Sequence, residues 1–505
     1  MNFSQARVRL VQAGAIFAAA ALVAGCGNNY RPVVTPTNPS GPAAQPQSFA
    51  VVVTAPSPIS PGITTVIDYA GDSILAQAPI GPGPTAFTLD ETGYNGYTLN
   101  TDGTLTNIPI SSTLQAKNVT FSTLPSTAKP LNLYSPSAGL WATDLTGNLA
   151  DVFTGNPMTL LLSIPLAPTP VMVMGPPLRG SRLFAVSQNI VSPTGLECNN
   201  SPTTQPLGVV TPIEVASYTT DTPIPTGKCP VYAVQSADSV RLFVLNRGSD
   251  TVSVINSQFG TLDACTPFLN QAGQTVTCHP TLPLSTSALT ATGIIPPNCN
   301  YATDHTCGGM PTTAGPVYAE YNAAKSLLVV ADYAGNTITV IDVSLDEYGN
   351  DSATFGTTYT IPVGQNPASV TVLVDGSRAY TANQTDKSVT IANLSSYTVE
   401  KTLPVTGYPR TVVSTQNSSY GKVYVGSPNT NYLTILRTDQ DIVDTTVLLE
   451  GDIVDVRVST QDGSRGNNNV TSRVPGYGQP CNLPPGVEPT PTGTQTALEV
   501  CQKQP

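Results

Sequence analysis

Ser326-Leu-Leu-Val-Val-Ala-Asp332-Tyr-Ala-Gly-Asn-Thr-Ile-Thr-Val-Ile341 reads as two short β-branched strands joined by a tight polar turn. Three further segments align with it without a gap. They are Arg241-Leu-Phe-Val-Leu-Asn246-Arg-Gly-Ser-Asp-Thr-Val-Ser-Val-Ile255, Arg378-Ala-Tyr-Thr-Ala-Asn383-Gln-Thr-Asp-Lys-Ser-Val-Thr-Ile391 and Lys422-Val-Tyr-Val-Gly-Ser427-Pro-Asn-Thr-Asn-Tyr-Leu-Thr-Ile435. In each, the first strand ends at a small polar residue: Asn246, Asp332, Asn383 or Ser427. The next apolar position follows six residues later, at Val252, Ile338, Val389 and Leu433. Alternating apolar positions around a turn of Gly, Asn and Asp are the signature of a β-hairpin. The hairpins recur at spacings of 86, 51 and 44 residues, the first containing an extra Cys-rich stretch near 258–315. Weaker copies lie around Tyr97–Ile108, Leu140–Val152 and Leu183–Gln188. A unit of about 40–50 residues with several strands predicts a β-propeller.

Over about 230–450 these residues resemble the YVTN-type propeller repeats of surface-layer and periplasmic proteins, a group that includes YncE-like and lactonase-like propellers. The family's Val-Ile-Asp strand stands literally at Val66-Ile67-Asp68 and Val340-Ile341-Asp342. The resemblance implies an all-β fold of four-stranded blades, most often seven, and leaves function open, because propellers host enzymes and scaffolds alike. Counting innermost strands from Pro84, Pro130, Pro168, Pro230, Pro316, Pro367 and Pro409 gives seven units. Ile453-Val-Asp-Val-Arg-Val458 then reads as one more innermost strand with no hairpin after it. Its missing companions are Phe49–Thr54, Thr64–Tyr69 and Ser73–Ile80. Pairing the N- and C-terminal strands would close the ring and remove open edges, which raises the tally from seven to eight blades.

Composition agrees. Of 505 residues only 10% are charged, against about 25% in ordinary soluble proteins, while 41 Gly and 47 Pro interrupt any long helix. The formal charge is −11, and no run of Lys or Arg exists, so the footprint of a nucleic-acid binder is missing.

The N-terminus reads as an export signal. Arg7 and Arg9 precede an apolar, Ala-rich stretch from Leu10 to Val23 that is short for a bilayer span. Leu22-Val23-Ala24-Gly25-Cys26 resembles the bacterial lipobox, which implies cleavage before Cys26 and lipidation of its sulfur. Residues 1–25 are thus expected to be a lipoprotein signal peptide, and 26–47 a Pro/Asn/Thr-rich tether that cannot bury a core. The propeller is expected over 48–460, followed by a loop-rich tail over 461–505. Gly27, where Asp would favour retention, points to the outer membrane.

Eight cysteines remain beyond Cys26, an even number in an oxidising compartment. Local closure favours Cys198–Cys229, Cys265–Cys278, Cys299–Cys307 and Cys481–Cys501. With no C-x-x-C and only His279 and His305, metal binding has little material, and no metal or other cofactor is expected.

Catalytic motifs are equally scarce. Neither G-x-S-x-G nor S-x-x-K with its partners occurs, and two histidines leave little for a Ser-His-Asp triad. The lone Trp141 argues against quinoprotein propellers. Asp332 and Asp342 read as turn residues rather than paired acids, since other repeats carry Asn or Ser there. Asp144-Leu-Thr-Gly-Asn148 is too sparse in acids for a calcium loop. The expectation is a membrane-anchored module that binds an envelope protein, peptide or glycan without catalysis, with the insertion at 258–315 taking part. The alternative is a lactonase-like hydrolase, for which Glu320, Asp332 and Arg378 are the candidate residues.

Overall fold

The computed structural model describes residues 49–459 apart from 58, 111–118, 125–129, 137–138, 146, 176–181, 192–197, 199–201, 271–272, 285–312 and 416. Cys26, Cys299, Cys307, Cys481, Cys501 and His305 lie outside the described residues, as do the signal peptide, the tether and the C-terminal tail. The described chain forms an eight-bladed β-propeller of antiparallel sheets.

Blades 1 to 7 follow one another along the chain and begin with innermost strands Pro84–Leu89, Pro130–Tyr134, Pro170–Met174, Pro230–Gln235, Pro316–Asn322, Pro367–Val372 and Thr411–Ser414. Each then adds a second, third and fourth strand outward. Innermost strands of successive blades touch around the entire ring. Blade 8 takes its innermost strand, Asp452–Val458, from the far end of the chain and its other three, Phe49–Ala55, Pro61–Asp68 and Ile74–Pro82, from the near end. Val51 pairs with Arg457 and Val52 with Val456, and the Phe49 amide donates to Ser459 Oγ at 3.0 Å. Seven prolines mark the expected blade starts, and two of those starts, Pro168 and Pro409, lie two residues early.

Alternation explains why these strands read as continuous apolar runs. Side chains of a strand point to opposite sheet faces in turn, and both faces of a blade pack on neighbours. In Phe49-Ala-Val-Val-Val53, Phe49, Val51 and Val53 join Phe87 and Leu89 of blade 1. Ala50 and Val52 join Tyr424 and Ile435 of blade 7. The core is therefore a series of apolar layers between blades, continuous from blade 3 to blade 6.

Within the stretch 258–315, the described residues up to Pro283 belong in part to blade 4. Blade 4's fourth strand begins at Thr261–Leu262, leaves for a small hairpin of Phe268–Leu269 on Thr275–Val276, and resumes at Thr281–Pro283. Leu282, buried against Val252, restores the apolar layer that the excursion interrupts.

Candidate functional site: the two faces of the ring

Strand direction gives the ring two unlike faces. One, the loop face, carries the turns between second and third strands and the crossings into each next blade. The other, the clip face, carries the remaining turns.

On the loop face the small polar residue of each repeat braces its own hairpin. Asn246 Nδ2 donates to Thr251 Oγ1 (3.2 Å) and Ser253 Oγ (2.9 Å), and Asn383 Nδ2 to Ser388 Oγ (3.0 Å) and Thr390 Oγ1 (2.8 Å). Asp332 reverses the polarity, accepting from Thr337 Oγ1 (3.2 Å) and Thr339 Oγ1 (2.6 Å). Burial pushes its carboxyl up to about 8, against the effect of those two donors. The turn closes on a left-handed residue, Asp250, Asn336 or Lys387, a conformation that Asp and Asn tolerate best. The preceding blade's strap lies directly on this brace. A Cβ at Gly227 would sit 2.7 Å from Asn246, and one at Gly364 2.7 Å from Asn383, so those positions admit glycine alone. A Gly-x-x-Pro spacing, at Gly227-Lys-Cys-Pro230 and Gly364-Gln-Asn-Pro367, was the sequence signal for this seam.

On the clip face, a basic residue at the start of a second strand, or in the turn before it, reaches the next blade's third-to-fourth turn. Arg182 binds Glu214 within blade 3 (Nε to Oε1, 2.7 Å) and the Gln258 carbonyl of blade 4 (3.3 Å). Arg241 lies 2.8 Å from Asp263 and 3.5 Å from Asp351 of blade 5, as ion pairs not aligned as hydrogen bonds. Lys325 Nζ donates to Ser395 Oγ of blade 6 (2.8 Å). Arg378 pairs with Asp441 of blade 7 and donates to the Thr438 and Ser418 carbonyls (2.8 and 3.0 Å). Lys422 pairs with Asp72 of blade 8. Five successive junctions, from blade 3 to blade 8, are thus clipped.

These contacts dispose of most candidate residues. Glu320 is buried in blade 5's innermost strand, Asp332 ends the second strand at the loop face, and Arg378 begins a second strand at the clip face. The structure does not gather them. Asp342 pairs with Leu327 and Asp332 with Thr337, which puts the two acids at opposite ends of one hairpin. Asp144 accepts from the Gly147 amide (3.1 Å) in an ordinary turn, and Trp141 is buried 6.0 Å from Tyr218. His279 is a brace: Nδ1 lies 2.8 Å from Asp351 Oδ2, and the ring stacks on Phe355. Among the described residues no group of three His, Cys, Asp or Glu is placed to hold a metal ion.

What remains is on the loop face between blades 3, 4 and 5. The connection from Gln188 to Pro206 is tied to the start of blade 4 by the Cys198–Cys229 disulfide and by Lys228 Nζ on the Thr203 carbonyl (2.7 Å). The second disulfide, Cys265–Cys278, closes the edge excursion instead. Asp250 holds both ends of the 285–312 stretch. Its carbonyl accepts from the Leu284 amide, and its Oδ1 accepts from Thr313 Oγ1 and the Gly315 amide, each at 2.8 Å. Beside it Arg247 lies buried, its guanidinium 5.6 Å from the centroid of the Tyr333 ring. Burial lowers the Arg247 guanidinium to about 10, while Tyr333 and Asp250 act in the opposite sense. Sequence reasoning passed over Arg247 as a turn residue. The signal was present: the same repeat position is Gln188, Tyr333, Gln384 and Pro428 in blades 3, 5, 6 and 7.

The chain is an eight-bladed β-propeller with basic residues clipping five successive junctions on one face and tied loops on the other. No protein-family model matches it, and no curated protein matches it in sequence. Among solved structures it is similar to apo AztD from Citrobacter koseri, with a TM-score of 0.51 at 11% identity, covering 81% of this chain and 97% of that one. It is also similar to the dihydro-heme d1 dehydrogenase NirN in complex with DHE, with a TM-score of 0.53 at 13% identity, covering 83% and 78%. At such identities the likeness shows the fold alone.

Proposed function

We propose that this protein is a lipid-anchored propeller of a bacterial cell envelope that binds a protein, peptide or glycan partner on its loop face, without catalysis. The lipobox-like Leu22–Cys26 supports the anchor, with the outer membrane as the favoured site. The observation that carries the binding reading is the division of labour between faces. Five basic residues on the clip face, Arg182, Arg241, Lys325, Arg378 and Lys422, are engaged within the chain across successive junctions, whereas the loop face carries tied loops around a buried Arg247. Loops held on a rigid scaffold are the usual seat of recognition. The alternative, a lactonase-like hydrolase, would use acids and bases converging from several blades. Glu320, Asp332 and Arg378 do not converge.

Photo-crosslinking in intact cells tests this reading. A crosslinker at Val191 on the loop face should capture envelope material, whereas one at the equally exposed Tyr420 on the clip face should not. Capture at Tyr420 alone would refute it. Palmitate labelling lost in Cys26→Ala checks the anchor.

A further inference from the structure

Arg247 is 8% exposed, and its Nε and Nη1 are sealed from solvent with no hydrogen-bond acceptor among the described residues. A cation–π contact with Tyr333 returns only part of what burying an unpaired charge costs. Asp250 is near enough to attract it, yet Oδ1 of that carboxylate is engaged by Thr313 and Gly315, and no ion pair forms. Other arginines buried to the same degree are treated differently. Arg241 faces Asp263 at 2.8 Å, and Arg457 donates to Asp455 at 2.9 Å. The fold itself does not require a cation here, because Gln, Tyr and Pro fill the same position in other blades.

We propose that Arg247, backed by Tyr333, is the anchor of a recessed site between blades 4 and 5 that takes one carboxylate of a ligand. A single guanidinium neutralises a single charge, which fits a carboxylate better than a phosphate dianion. Its planar donors match carboxylate oxygens in geometry. Gln188 of blade 3 and Gln384 of blade 6 occupy the same repeat position on the flanking blades, which provides amide groups around the same face. This inference rests on the binding reading and names the chemical class of the group recognised.

The test uses formate as the probe. The mature chain is melted in sodium formate and in sodium chloride at equal ionic strength, as wild type and as Arg247→Met. Formate should raise the wild-type midpoint by several degrees and leave the variant unmoved. In chloride the variant should melt at or above the wild type, because an uncompensated charge is gone. In protein labelled with ¹⁵N-arginine, one Nε–H resonance, absent from the variant, should move on formate addition. A variant that melts clearly below the wild type in chloride would overturn the proposal by showing Arg247 to be internally paired. Equal formate responses in both proteins would also overturn it. Crosslinks at Val191 that persist when the formate response fails would leave the binding reading standing and remove only the carboxylate site. A retained formate response without crosslinks would do the reverse.

Discussion

The clip face and the loop face solve opposite problems with the same scarce material. Charged residues are only 10% of the chain, and on the clip face Arg241, Arg378 and Lys422 each pair with an acid of the next blade. On the loop face two seams rest on glycine against asparagine with hydroxyls as partners, and the acids there, Asp250 and Asp386, accept from backbone amides of the adjoining crossing rather than from cations. There two nitrogens of Arg247 have no acceptor among the described residues. A charge that finds its partner inside the chain closes the ring. One that does not marks where the ring meets something else.

The sharpest way to break the comparison is to remove what both faces depend on, ring closure. Deleting the chain from Gly451 onward strips blade 8 of Asp452–Val458, whose Asp455, Val456, Arg457 and Val458 are all buried. The strand Phe49–Ala55 then becomes an exposed edge, and the Asp455–Arg457 pair is lost. The loss should exceed about 5 kcal/mol, comparable to the whole stability of many domains. Circular dichroism melting should show no cooperative transition near the wild-type midpoint. An unchanged midpoint would mean that the blades stand without closure.

A finer cut separates strong clips from weak ones. Arg378→Met takes the cation from Asp441, leaving this little-exposed carboxylate with the Tyr380 hydroxyl, and removes donors from the Thr438 and Ser418 carbonyls. Breaking one partner of a buried pair costs about 3 kcal/mol. Lys325→Met removes a single exposed contact to Ser395 and should change stability by less than about 0.5 kcal/mol. That junction keeps two neutral bonds from Asn322 Nδ2 to the Leu373 and Val374 carbonyls and the stacked rings of Tyr359 and Tyr397. Denaturant unfolding of both variants reads the difference directly. Equal losses would show that the clips act as one network rather than junction by junction.

How much of this was legible follows from the range of the interactions. The hairpins and the blade starts at proline are local patterns, and they stood in the sequence as written. Closure was legible because an unpaired strand at Ile453–Val458 needed companions, and the only spare strands lay at the other end. The Cys198–Cys229 and Cys265–Cys278 pairs span short loops. The clips were not legible, because Arg378 and Asp441 meet only once two blades are packed, 63 residues apart. A separation of 72 residues hid the bridge from His279 to Asp351, and the unseen partner gave Arg378 the look of a site residue. Arg247 was visible as a letter but not as a problem, since only packing reveals which cation lacks an acceptor.

The last and mildest test concerns Asp332, the one acid among these loop-face braces whose counterparts in blades 4 and 6 are Asn246 and Asn383. Its folded carboxyl holds a proton up to about pH 8, whereas an unfolded aspartate releases it near pH 4. Between those values the folded state binds more protons than the unfolded state, so stability falls as pH rises. At 1.36 kcal/mol per unit, flattening as pH 8 is reached, the wild type should lose about 1.5 kcal/mol between pH 6.5 and pH 8 from this group alone. Asp332→Asn keeps the shape and carries no titrating proton. Its amide would donate to Thr337 and Thr339, as Asn246 and Asn383 donate to their own hydroxyl partners. The variant should match or exceed wild-type stability at pH 6.5 and lead by about 1.5 kcal/mol more at pH 8, measured by urea unfolding at both values. If its advantage did not grow with pH, the carboxyl would be ionised in the folded state, and the brace in blade 5 would be a buried anion rather than the neutral clasp of its neighbours.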